Sequence, residues 1–353
     1  IQKMPVRVNF CGSPSDAAPY CLEHGGTMFD GTLLLKGDYP IVITVRKLEK
    51  PVIVFGSEDL GDEVEFTDIH DIQMCYNTDD TFALHKAVLI AMGLIPEKDD
   101  SQSIEQICQK LGGGLYLSTA VDVPKGSGLG TSSIIAVGCI KAVDSILGIE
   151  PEEEAVFAQV FAAEQLMSTG GGWQDQVGGY DYGLKYFTAN PGTYQKIKVE
   201  RPDISQETFD ELNDRFCLIF SGQRRLAKNV LRQEMNQTIS NDEAVLDSLD
   251  EIQKLCALMK FYLEKGDVTS FAKCITKQFD IIKTIDKGSS NTCIEYIFDV
   301  CSDLIDGKAI CGAGGGGFLQ VVLKKGVTKE QLAKRIESEF ADCGVQVWDC
   351  CLI

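Results

Sequence analysis

Apolar and polar positions alternate near the start of the chain. Pro5-Val-Arg-Val-Asn-Phe-Cys11 predicts a strand that runs into the polar turn Gly12-Ser-Pro-Ser-Asp16. Ile41–Arg46 and Val52–Phe55 carry the same β-branched texture and predict two further strands. The period then lengthens: Phe82, Leu84, Val88 and Leu89 within Asp79–Met92 recur at helical spacing. Leu115–Val121 predicts a strand, a glycine-rich loop follows, and Ser132–Leu147 predicts a long helix of small residues. Pro151–Ser168 predicts another helix, with Pro151 near its first turn and acids after it, as the helix dipole prefers. Gly170–Gly172 ends it.

Past about residue 200 the texture changes. Ser205–Asp214 and Arg225–Glu234 predict helices on either side of the strand Phe216–Phe220. Asp242–Lys265, Thr269–Lys283 and Thr292–Leu304 predict three more helices. The chain closes with Ala309–Cys311, a glycine-rich turn, strand Phe318–Leu323, helix Lys329–Phe340 and strand Val345–Trp348. With no internal repeat and no low-complexity linker, two α/β halves divided near residue 200 fit this order.

Composition narrows the function. No apolar run reaches the roughly 20 residues of a membrane-spanning helix. No basic-then-apolar leader opens the chain, whose first residue is Ile1, as expected of a trimmed start or a longer polypeptide. The formal net charge is −19. Nucleic-acid binding needs a basic face, and no Lys/Arg block supplies one. An anionic ligand must therefore be held by local dipoles and a cation. Fourteen cysteines, with no C-x-x-C pair and only three histidines, lack zinc-ligand spacing. Buried free thiols in a reducing cytoplasm are expected, and the adjacent Cys350 and Cys351 could form a labile link that nothing in the sequence demands.

The main chemical signal is Pro124-Lys-Gly-Ser-Gly-Leu-Gly-Thr-Ser-Ser133, a loop between a strand and a helix. Its glycines allow positive φ and close approach of backbone to ligand. The helix start aims N–H groups and a positive dipole end at an anion. The hydroxyls of Thr131, Ser132 and Ser133 suit phosphate or Mg²⁺. A P-loop would need Lys after its last glycine, and a protein kinase would need H-R-D and D-F-G; neither pattern occurs. G-x-G-x-G in mid-chain leaves a dinucleotide site or a plain turn open beside a phosphate loop of another fold.

Phosphoryl transfer also needs a metal ligand and a group that takes or orients the acceptor proton. Glu164 ends the predicted helix, where a solvated surface acid is the ordinary alternative. Asp175 follows three glycines and Trp173, a tight backbone suited to pinning one carboxylate in a partly apolar pocket; a helix cap is the alternative there.

These residues carry a resemblance. The chain resembles the GHMP kinases, the superfamily of galactokinase, homoserine kinase and mevalonate kinase. Arg7-Val-Asn-Phe-Cys-Gly12 with Asp16 resembles the opening strand and sugar-contacting acid of that family. Pro124–Ser133 is similar to P-x-x-x-G-L-G-S-S-A, with Thr131 and Ser133 as departures. Gly312-Ala-Gly-Gly-Gly-Gly317 is similar to the late G-A-G-G-G-G turn, and the step of eleven residues from Glu164 to Asp175 is also the family's. Within the superfamily the chain looks most like the L-fucokinases. The carriers are Gly170-Gly-Gly-Trp-Gln-Asp-Gln-Val-Gly-Gly179, Pro19-Tyr-Cys-Leu-Glu-His-Gly-Gly26 and Ser221-Gly-Gln-Arg-Arg-Leu-Ala227. Gly12-Ser-Pro-Ser-Asp-Ala-Ala-Pro19 departs from their G-G-x-x-D-T-P-P.

The resemblance implies an α+β fold of two domains. Residues 1–200 would be the α/β nucleotide-binding domain and 201–353 a ferredoxin-like α+β domain. It implies a cytoplasmic kinase that uses ATP and Mg²⁺ to phosphorylate the anomeric hydroxyl of L-fucose. Some relatives are fused to a nucleotidyltransferase. Lys125, Gly126, Ser127, Gly128, Leu129, Gly130, Thr131, Ser132 and Ser133 would hold the nucleotide. Ser132 and Glu164 would hold the metal. Asp175 would be the base and Arg7 its charged companion, or a neutraliser of the γ-phosphate. Asp16, Trp173, Gln174 and Arg225 would meet the sugar. Gly312–Gly317 is expected to be a structural turn packed on the nucleotide loop. A heptose-phosphate kinase on the same fold is the alternative, and a non-catalytic sugar and nucleotide sensor a more distant one.

Overall fold

Strand Ile41–Leu48 shows how pattern becomes structure. Ile41 and Ile43 point inward and are fully buried, while Arg46, on the other face, lays its guanidinium 4.1 Å above the ring centre of its cross-strand partner Tyr116. This computed structural model describes residues 1–77, 79–99, 101–168, 171–223 and 242–353. The predicted helix Arg225–Glu234 lies outside them.

The described chain divides into two compact units, taken here one at a time. The first comprises Ile1–Val6, Tyr39–Val123 and Gly130–Tyr180. Its sheet runs Gln2–Met4, Ile41–Leu48, Gly114–Val121, Ile53–Ser57, Asp62–Phe66. Only the pair Ile53–Ser57 with Gly114–Val121 is parallel. Helix Thr131–Leu147 lies on this sheet and buries Ala136, Gly138 and Ala142, small residues that bring its axis close to Ile43 and Met4. Helices Ala83–Ala91 and Glu153–Leu166 pack beside it. The first helix begins later than the pattern predicts because Asp80 caps the turn before it, accepting from Phe82 N–H at 2.9 Å.

The second unit comprises Arg7–Asp38, Pro124–Leu129 and Asp181–Ile353. One of its sheets centres on the ten-residue strand Gly26–Leu35, which the pattern analysis missed. That strand pairs with Val6–Cys11, Lys185–Ala189 and Cys350–Leu352. The other sheet is antiparallel throughout, in the order Ile305–Ile310, Phe318–Leu323, Phe216–Phe220, Gln346–Trp348. Helices Glu243–Glu264 and Val268–Ile285 pack on one another. Phe10, Phe29, Phe216 and Phe271 meet edge to face at the centre, with Phe10 and Phe271 ring centres 5.2 Å apart.

The units interleave along the chain, and the expected division near residue 200 falls inside the second one. Strand pairing is the cause: residues 26–35 bind residues 185–189 and 350–352 in one sheet. All fourteen cysteines are free. Cys350 and Cys351 sit on consecutive positions of one strand, so their side chains face opposite ways, which opposes the labile link. No helix among the described residues is long and apolar enough to cross a membrane.

Candidate active site

The glycine-rich loop begins in the second unit with Pro124–Leu129. Gly126, Gly128 and Gly130 have φ of +74°, +79° and +69°, the conformation their sequence pattern predicts. Gly128 also answers to a close approach. A Cβ built there would lie 2.1 Å from the carbonyl oxygen of Cys311, at the edge of the turn Gly312–Gly317. Phe318 N–H donates to the Ser127 carbonyl at 3.0 Å. The late glycine turn therefore packs backbone to backbone on the loop.

Arg7 is only 3% exposed, which excludes a surface strand-edge arginine. Its main-chain N–H donates to the Leu129 carbonyl at 3.2 Å, and its Nη1 to the Gly128 carbonyl at 2.8 Å. A buried cation thus holds the loop from beneath. The charge of Arg7 also opposes the rise of the Cys311 thiol, which burial pushes up to about 12. Lys125, by contrast, is exposed.

Asp16 lies in the same unit, 2% exposed. The Ser15 hydroxyl braces its turn, donating to the Thr27 carbonyl and accepting from Thr27 N–H, both at 3.1 Å. Gly12 N–H donates to Gln278 Oε1 at 3.0 Å. Helix Tyr20–His24 is tied to helix Glu243–Glu264 by the Tyr20 hydroxyl, which donates to Asp250 at 2.7 Å. Burial, and secondly the Asp16 charge, push the Cys21 thiol up to about 12. Arg225 lies outside the described residues.

In the first unit, helix Thr131–Leu147 starts after Gly130, which has no side chain to accept from the first turn. The positive end of the helix dipole lies at this start. Thr131 is half-buried, Ser132 exposed and Ser133 buried. Glu164, on helix Glu153–Leu166, is 6% exposed and is not a solvated surface acid. Its Oε1 accepts a hydrogen bond from the Ser133 hydroxyl. Ser132, the expected partner of Glu164 at a metal, is the residue before Ser133 and is exposed.

Asp175 occupies the first turn of helix Gln174–Tyr180, half-buried, just after the buried Trp173. Gln174 is half-buried beside it. Two contacts hold this short helix on helix Thr131–Leu147. A Cβ on Gly179 would lie 2.2 Å from Ile134 Cγ1, so glycine permits the approach. Lys141 donates to the Tyr180 carbonyl at 3.3 Å, its ammonium 4.2 Å from that ring's centre.

These are hard oxygen donors on glycine-shaped backbone. Among the described residues, no group of three His, Cys, Asp or Glu side chains could hold a metal. One buried carboxylate near hydroxyls does suit Mg²⁺, which takes one or two carboxylates together with substrate phosphates and waters. The model for the N-terminal domain of GHMP kinases matches residues 101–180, which carry the loop, Glu164 and Asp175. Residues 101–180 thus carry a GHMP kinase N-terminal domain. The chain is similar to the bifunctional fucokinase/GDP-fucose pyrophosphorylase of Arabidopsis thaliana, 30% identical over 99% of this chain and 32% of that protein. The chain thus spans about a third of that relative. The D-glycero-alpha-D-manno-heptose 7-phosphate kinase of Campylobacter jejuni is 26% identical over 98% of this chain and 97% of its own length. The solved mevalonate kinase of Methanococcus jannaschii shares the α+β fold, with TM-score 0.72 at 17% identity, over 99% of this chain and 97% of that one.

Proposed function

We propose that this protein phosphorylates the anomeric hydroxyl of L-fucose, giving L-fucose 1-phosphate and ADP. The supporting observation is the extent of the similarity to the Arabidopsis fucokinase/pyrophosphorylase, which covers 99% of the chain. Trp173-Gln-Asp175 lies within it.

In this reading the backbone of Gly126–Ser133 cradles the phosphates, with Lys125 at the loop's exposed start. Ser132 and Glu164 hold Mg²⁺, which when bound neutralises phosphate charge. Asp175 takes the proton of the sugar hydroxyl as its oxygen bonds to the γ-phosphorus. The bond from that phosphorus to the bridging oxygen breaks, and ADP leaves with the electron pair. Arg7 holds the loop and supplies positive charge. Asp16, Trp173, Gln174 and Arg225 recognise the sugar. A division into functional domains 1–200 and 201–353 belongs to the same proposal. The product, a sugar 1-phosphate, suits a nucleotidyltransferase, and the Arabidopsis relative is also a GDP-fucose pyrophosphorylase.

A second reading, a heptose 7-phosphate kinase, is favoured by a relative matched over 97% of its own length. A coupled ADP-release assay over L-fucose, D-arabinose, D-galactose, mannose and heptose 7-phosphate separates the two. Fastest turnover with L-fucose is expected. Preference for the heptose phosphate would overturn the first reading, and ADP release with none of these sugars would overturn both.

A further inference from the structure

The contact between Ser133 and Glu164 has no counterpart in the GHMP loop pattern, which carries alanine where this chain has Ser133. We propose that Ser133 is a positioning residue that orients the carboxylate of Glu164 for its divalent cation. The proposal rests on the reading of Glu164 as a metal ligand.

Two helices fix the geometry. Ser133 lies in the first turn of Thr131–Leu147, whose buried small residues seat it on the sheet. Glu164 lies near the end of Glu153–Leu166, which packs against that helix. A glutamate side chain has three rotatable bonds of its own. The Ser133 hydroxyl, 4% exposed as a residue, removes that freedom by donating to Oε1. It also satisfies one oxygen of a buried charge, which is costly to leave unpaired.

The second oxygen has a different neighbour. A Cβ on Gly171 would lie 3.4 Å from Oε2, at ordinary van der Waals distance. With Oε1 engaged by Ser133, the carboxylate is held in one orientation toward its cation. Ser132, exposed at the helix start, stays available as its hydroxyl partner. Hydrogen bonds of this outer kind orient ligating carboxylates, and losing one typically costs about 10–100-fold in metal affinity.

The test is a Mn²⁺ titration followed by electron paramagnetic resonance on the full chain with a non-hydrolysable ATP analogue. Ser133→Ala suits it because alanine favours helix and is the residue of the family pattern. The variant is expected to bind Mn²⁺ about 10-fold more weakly. Ser133→Thr, which keeps the hydroxyl, should restore most of the loss. Wild-type Mn²⁺ affinity in Ser133→Ala, alongside a clear loss in Glu164→Gln, would overturn the positioning role alone. An unchanged Glu164→Gln would instead remove Glu164 as the ligand, and the proposal with it.

Discussion

Arg7 reaches from strand Val6–Cys11 to the loop and donates from Nη1 to the Gly128 carbonyl over 2.8 Å, while buried to 3% exposure. The residue thereby fixes the turn in which glycine amides would face phosphate. A hydrogen bond from a charged donor is worth about 1.5–3 kcal/mol. Arg7→Ala should therefore lower ATP affinity by about 10–100-fold, as read by equilibrium nucleotide titration. Unchanged affinity would show that the loop holds its shape without the arginine.

Glycine at position 128 is under two constraints at once, a φ of +79° and a carbonyl 2.1 Å from any Cβ. Gly37 has nearly the same φ, +77°, with nothing within 4 Å. Gly37→Ala should cost about 1–2 kcal/mol, the left-handed penalty alone. Gly128→Ala should cost clearly more and weaken nucleotide binding besides. Denaturant unfolding of both variants measures the difference, and equal losses would remove the role of the Cys311 contact.

Asp175 is placed by a helix that Gly179 and Lys141 hold in position, so Asn substitution preserves the local packing. Asp175→Asn should lower kcat by about 10²–10⁴-fold, the range of general base catalysis, while ATP still binds. Near-wild-type turnover would take the base assignment away from Asp175.

His85 gives the first unit a pH dependence. It is 3% exposed, between Phe55 and Phe82, and burial pushes its pKa down to about 4, against a smaller opposing pull from Asp80. The unfolded chain then binds a proton in the window where the folded chain does not. The contribution is fully present above pH 6.5 and is lost as pH falls from there toward 4. The difference amounts to about 3 kcal/mol. The slope of unfolding free energy against pH over that window should flatten in His85→Gln. A slope equal to wild type would assign the dependence to other groups.

Local pattern made much of the molecule legible. Strands Phe216–Phe220 and Phe318–Leu323 and helix Lys329–Phe340 form where periodicity predicts them. Helix Thr292–Val300 stops short of the predicted Leu304, because the chain turns at Cys301–Leu304 to enter strand Ile305–Ile310. Strand Gly26–Leu35 escaped notice because Gly26 and Gly31 weaken its β signal. Gly31 is needed there: a Cβ would lie 2.8 Å from the Phe10 ring.

The sequence by itself determined the chemistry on offer: a glycine loop between strand and helix, a carboxylate eleven residues before another, and a net charge of −19 with no Lys/Arg block. Those are local facts, since turn geometry and helix starts depend on neighbours in the chain. Tertiary structure decided which partners they have. It buried Arg7 under Gly128, brought Ser133 to Glu164 across two helices, and set residues 26–35 beside residues 350–352. Such contacts join positions from 31 to more than 300 residues apart. They arise from packing and strand pairing, which leave no period in the sequence.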